Sequence, residues 1–142
     1  MIVILWCAFI LAASASAQVA IISHKTVPVD SITKSALLDI YTGDIQSWSN
    51  GEPVIVVDLK TRGDTKTVFY DFLGKKSSRV KSIWLKKKLS GEWDPPESLE
   101  TEAAVVKKVA STPGAIGFVG HSKIDDSIDI VKVLLIIQQP SK

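Results

Sequence analysis

Residues 53–58, Pro-Val-Ile-Val-Val-Asp, constrain the fold more than any other part of the chain. A continuous apolar run of this kind suits a parallel strand covered on both faces, rather than a strand with one wet side. Such a strand needs helices above and below it, and the chain supplies them on either side in sequence. Downstream, Asp64 or Thr65 can cap a helix carrying Val68, Phe69, Phe72 and Leu73, which Gly74 would end. Ser77 or Ser78 can cap the next, with Val80, Ile83, Trp84 and Leu85 on its apolar side, stopped at Ser90-Gly91. Pro95-Pro96 marks a loop. Thr101 begins a further helix with Val105, Val106 and Val109 inward, and Pro113-Gly114 closes it.

Upstream, residues 19–23 (Val-Ala-Ile-Ile-Ser) read as a short buried strand. Ser31 or Thr33 then offers an N-cap to a helix whose apolar face is Ala36, Leu37, Ile40 and Tyr41, with Gly43 at its left-handed end. Residues 46–51 read as a turn with Trp48 buried in it. Residues 115–119 form a short strand and residues 128–137 a longer one. Strands alternating with helices predict an α/β domain of three layers, its largely parallel sheet flanked by helices.

The first 17 residues stand apart. An apolar stretch over residues 1–13 is followed by small residues ending in Ala15-Ser16-Ala17, the pattern of an export signal with an A-x-A cleavage site. The stretch is short for a membrane span, which takes about 20 apolar residues. The expectation is a signal peptide at residues 1–17 and a single domain at residues 18–142, delivered to the periplasm with no integral membrane segment after cleavage. Cys7, the one cysteine, lies within the signal, so disulfides and thiol chemistry are excluded from the domain. The net charge of +2 gives no indication of a nucleic-acid partner.

Open α/β sheets bind ligands beyond the carboxyl ends of their strands. With parallel strands that rule collects Ser23 and His24, Asp58, and Gly120 and His121 along one edge. The run from Asp58 to Phe69 then places Arg62, Thr65 and Thr67 at the start of a helix. Helix N-termini expose unpaired N–H groups and the positive end of the dipole, so they favour anions. Arg62 adds a planar fork suited to two oxygens, and the threonines can donate hydroxyl hydrogens. The alternative is an ordinary helix start beside a solvated arginine.

Two stretches carry a resemblance. Residues 38–48, Leu-Asp-Ile-Tyr-Thr-Gly-Asp-Ile-Gln-Ser-Trp, resemble the I-[FY]-x-G-x-I-x-x-W stretch of phosphate-binding components of ABC transporters. Residues 112–119, Thr-Pro-Gly-Ala-Ile-Gly-Phe-Val, resemble the P-G-A-I-G-[YF]-V stretch of the same family. Between them, residues 62–69 stand where that family has an arginine, a Ser-Gly-Thr phosphate loop and a phenylalanine. The resemblance covers about residues 19–119 and is to one lobe, the second, of a class II periplasmic binding protein. It implies a non-enzymatic protein that binds phosphate or a similar oxyanion, in phosphate uptake or sensing, through Arg62, Thr65 and Thr67, with Ser23 and Asp58 at the same edge. The Ser-Gly-Thr triplet itself is replaced by Gly63-Asp64-Thr65-Lys66-Thr67, and Asp64 would repel a dianion.

A lone lobe cannot close on a ligand, and it offers a face where the other lobe would pack. The alternative function is therefore an interaction or sensory module, with a membrane transporter, a sensor protein or a second copy as its partner. His24, His121 and Asp58 are acceptable metal ligands by type but lie scattered, so no metal is expected. No G-x-S-x-G or NTPase-type glycine loop is present, so neither a catalytic residue nor a cofactor is expected. Lys75, Lys76, Arg79, Lys81, Lys86, Lys87 and Lys88 form a basic run that reads as a solvated helix face or a surface that steers anions. Asp125-Asp126 reads as a turn.

Overall fold

The structure is a computed structural model that describes residues 18–124 and 129–139. The predicted leader and the Asp125-Asp126 turn lie outside the described residues. In chain order the elements are β1 (Gln18–Ser23), α1 (Lys34–Tyr41), β2 (Ile55–Leu59), α2 (Asp64–Leu73), α3 (Ser77–Leu89), β3 (Glu97–Leu99), α4 (Glu102–Ser111), β4 (Ala115–Gly120) and β5 (Lys132–Gln138). The strands form one open sheet in the order β3-β2-β4-β1-β5.

Strands β3, β2 and β4 run parallel, and β1 runs against both of its neighbours, β4 and β5. The sheet is thus largely parallel in strand direction, with one reversed strand inside it. That reversal corrects the expected edge. Ser23 pairs with Ile116 at the start of β4, whereas Val19 pairs with Gly120 at its end. Ser23 and His24 therefore sit on the opposite edge from Asp58, Gly120 and His121. An apolar strand buried on both faces carries no mark of its direction, so the sequence left this open.

Side chains alternate across β4 and assign the layers. A β-carbon at Gly117 would lie 3.0 Å from Val105 and 3.1 Å from Val109, so that face meets α4. The next residue, Phe118, stacks on Phe69 of α2 with ring centroids 3.8 Å apart and planes at 6°. Phe69 also meets Tyr41 of α1 edge-on at 4.8 Å. One layer is therefore α4, and the other contains α1 and α2. Helix α3 joins the second layer through Trp84, whose Nε1–H donates to the Tyr41 carbonyl oxygen at 2.7 Å. Aromatic pairs of this kind add about 0.5–1.5 kcal/mol beyond the area they bury.

The helix boundaries follow local chemistry. Thr33 caps α1 by accepting from the Ala36 N–H, and Thr101 caps α4 by accepting from Ala104 N–H. Gly74 ends α2 in the left-handed conformation. The starts of α2 and α3 differ from expectation. Their N-caps are Gly63 and Lys76, and neither makes a side-chain capping bond. Leu85 is exposed rather than packed, because Val80 and Trp84 already fill the inner face of α3. Strand β3 was not expected at all. It is a three-residue edge strand held by pairing to β2, with no apolar pattern of its own. The last strand begins at Lys132, later than residue 128.

Candidate functional site

Two helices begin at the edge where β2, β3 and β4 end. Helix α2 follows β2 through residues 60–63, and α4 follows β3 through Glu100 and Thr101. The two connections are fastened together. Lys60 N–H donates to the Leu99 carbonyl at 2.7 Å, and the Thr61 hydroxyl donates to the Glu100 carbonyl. The result is a concavity of about 330 Å³ between the two helix heads, whose lining includes Arg62, Thr65, Lys66, Glu100 and Glu102.

Helix α2 starts without a side-chain cap, and its first intrahelical bond runs from Thr67 N–H to the Gly63 carbonyl. The N–H groups of Asp64, Thr65 and Lys66 precede that bond and have no acceptor within the helix. This is the arrangement that attracts an anion, and Arg62 and Lys66 reinforce it. Acidic groups oppose it: Asp64, Glu100 and Glu102 line the same hollow.

Of the expected site residues, the structure brings Arg62 and Thr65 together in this concavity. Thr67 is exposed one residue further along α2 than the free N–H groups and does not line it. Asp58 lies in β2 near the same edge, but its Oδ1 accepts the Tyr70 hydroxyl at 2.9 Å, which ties strand to helix. Ser23 is buried at the far edge, where its hydroxyl donates to the His24 carbonyl at 3.2 Å. His24 sits with it, its ring facing Thr26 at 2.8 Å, so His24, Asp58 and His121 do not converge. Among the described residues no cluster of three or more His, Cys, Asp or Glu side chains has the geometry of a metal site.

One residue was missed. Glu102 opens α4, and its Oε1 accepts both the Thr65 hydroxyl at 2.9 Å and the Gly120 N–H at 2.5 Å. An acid in the first turn of a helix reads in sequence as ordinary dipole compensation, and no local spacing links it to residues 37 and 18 positions away.

A larger concavity of about 500 Å³ is bounded by Val54, Trp84, Trp93, Pro95 and Pro96. It has more room but no convergence of anion donors at a helix start, so the smaller hollow is the candidate site.

The fold is an open α/β lobe with a concavity at the carboxyl edge of its parallel strands. Residues 14–137 match the model of the PBP superfamily domain, and the chain belongs to that family. Among solved structures it is similar to a phosphate ABC transporter substrate-binding protein with bound phosphate from Clostridium perfringens, at 24% identity and a TM-score of 0.66. That match covers 83% of this chain and 44% of the other. An ABC-type phosphate transport receptor from Vibrio cholerae matches at 20% identity and a TM-score of 0.64, over 83% of this chain and 45% of the other. PstS from Borrelia burgdorferi matches at 16% identity with a TM-score of 0.64, over 83% and 46%. The chain thus spans less than half the length of these structures, the extent of a single lobe.

Proposed function

We propose that the chain is an exported, non-enzymatic binding protein for phosphate or a similar small oxyanion, working in uptake or sensing of that ion. The carrying observation is the head of α2, which has no side-chain cap and opens, with Arg62 and Thr65, onto a hollow at the sheet's carboxyl edge. Membership of the PBP superfamily supports the reading, as do fold relatives described as phosphate-binding. Export rests on the leader pattern of residues 1–17 and implies the periplasm. Among the described residues no helix is long and apolar enough to cross a membrane.

The test is calorimetric titration of the chain from Gln18 onward with phosphate, with Arg62→Ala as the control. Saturable heat that the variant loses supports the reading. Heat indifferent to Arg62 removes it.

A second reading has its own observation. Leu85 and Leu89 lie one turn apart on α3 and are 55% and 79% exposed, with Trp93 exposed just beyond them. The lobe would then serve as an interaction module for a transporter, a sensor or a second copy, with ligand binding secondary. Sedimentation of the purified chain separates the readings: self-association lost in Leu89→Glu favours the second.

A further inference from the structure

Glu102 holds one of the groups that an oxyanion at the proposed site would use. Its Oε1 takes the Thr65 hydroxyl at 2.9 Å, the same hydroxyl the proposed site offers, and the N–H of Gly120 at 2.5 Å, at the carboxyl end of β4. The carboxylate lies close against Gly120. A β-carbon there would lie 3.1 Å from Glu102 Oε1 and 3.4 Å from Thr65 Oγ1. The backbone of Gly120 is an ordinary extended one, with φ of −60°, so conformation does not call for glycine at this position.

A carboxylate oxygen and a phosphate oxygen use the same donors. Two anions cannot share a hydroxyl and an N–H a few ångströms apart without repelling each other in the half-buried surroundings. A tethered group also has a concentration advantage over a free ion.

We propose that Glu102 is a built-in occupant of the oxyanion site, so that its carboxylate competes in cis with the ligand and sets the affinity of the intact chain. This deepens the function proposed above and rests on it. Ligand entry requires the Glu102 carboxylate to leave Thr65 and Gly120, and any event that draws it away opens the site. A glutamate acting only as the acid in the first turn of α4 would have no such effect: its removal would cost stability and leave anion affinity where it was.

The experiment is phosphate titration of the purified chain against Glu102→Ala and Glu102→Gln, each checked for folding by circular dichroism. The expected result is phosphate binding at least tenfold tighter in Glu102→Ala, with a smaller gain in Glu102→Gln, whose amide oxygen keeps part of the contact. Acetate, a free copy of the lost group, should raise the melting temperature of Glu102→Ala and not that of the parent. Equal or weaker phosphate binding in both variants overturns the proposal. Should Glu102→Ala fail to fold, Glu102→Gln decides alone on the same criterion. Parent binding that Arg62→Ala abolishes, with no gain in either Glu102 variant, leaves the oxyanion function standing and removes only the competition. Absence of binding in parent and variants alike removes both.

Discussion

The Tyr70 hydroxyl donates to Asp58 Oδ1 at 2.9 Å and so joins the middle of α2 to the end of β2, beside the candidate site. Burial, the charge of Asp58 and this hydrogen bond, in that order, push Tyr70 far above the ordinary tyrosine range. Tyr41 is raised as well, first by burial and then by Tyr70 and Asp58. An unfolded tyrosine ionises near pH 10, while these stay protonated in the fold, so above about pH 10 the unfolded chain holds fewer protons. Stability is therefore fully expressed below that pH and falls as pH rises, by up to about 1.4 kcal/mol per pH unit for each such tyrosine. Tyr70→Phe should lose about 1–2 kcal/mol at neutral pH and show a shallower alkaline decline. Urea unfolding from pH 8 to 11 measures both, and an unchanged slope in the variant would locate the alkaline loss elsewhere.

Gly114 and Gly74 both have positive φ, +80° and +75°, but they differ in their surroundings. A β-carbon at Gly114 would lie 2.2 Å from the Pro53 carbonyl oxygen, while one at Gly74 meets open space. Gly74→Ala should therefore cost only the left-handed penalty, about 1–2 kcal/mol. Gly114→Ala should cost clearly more, because the start of β4 must move away from the segment leading into β2. Trp48 reports the change, since its Nε1–H donates to the Gly114 carbonyl at 2.9 Å. A shifted Trp48 emission in Gly114→Ala, absent in Gly74→Ala, would confirm the assignment.

Much of the layered architecture was legible because its signals are local. Thr33, Thr101 and Gly74 act where capping chemistry puts them, and the apolar run before Asp58 forms a covered strand. The direction of β1 was not legible, since a run apolar on both faces reads the same either way, and Ser23 moved to the wrong edge with it. The candidate site was half legible. Arg62 and Thr65 follow from the helix start and from family resemblance. Thr67 lies further along α2, outside the lining of the hollow, which only the tertiary structure shows. Glu102 needed the tertiary structure, since β4 and α2 reach it only through the sheet.

Phe69 and Phe118, both fully buried, form the stacked pair that seats α2 on the sheet. Phe69→Ala should cost about 3–5 kcal/mol, the usual range for emptying an aromatic site. Phe72→Ala on the same helix should cost less, because that ring is only half-buried. Chemical denaturation of the two variants gives the difference directly. Equal losses would mean that the stack does not anchor the helix.

The two threonines of α2 differ in what they can offer a ligand. Thr65 is half-buried at the second position of the helix and points its hydroxyl into the hollow, toward Glu102. Thr67 is exposed, its own N–H already bonded to the Gly63 carbonyl. Thr65→Ala should weaken phosphate binding by roughly tenfold or more, the worth of one hydrogen bond to a charged group. Thr67→Ala should leave it within twofold. Because Thr65 also serves Glu102, its loss frees a little of the internal competitor, so Thr65→Ala in the Glu102→Ala background should cost more than in the parent. A double-mutant cycle measures that coupling. Strict additivity would mean that ligand and glutamate do not compete for this hydroxyl.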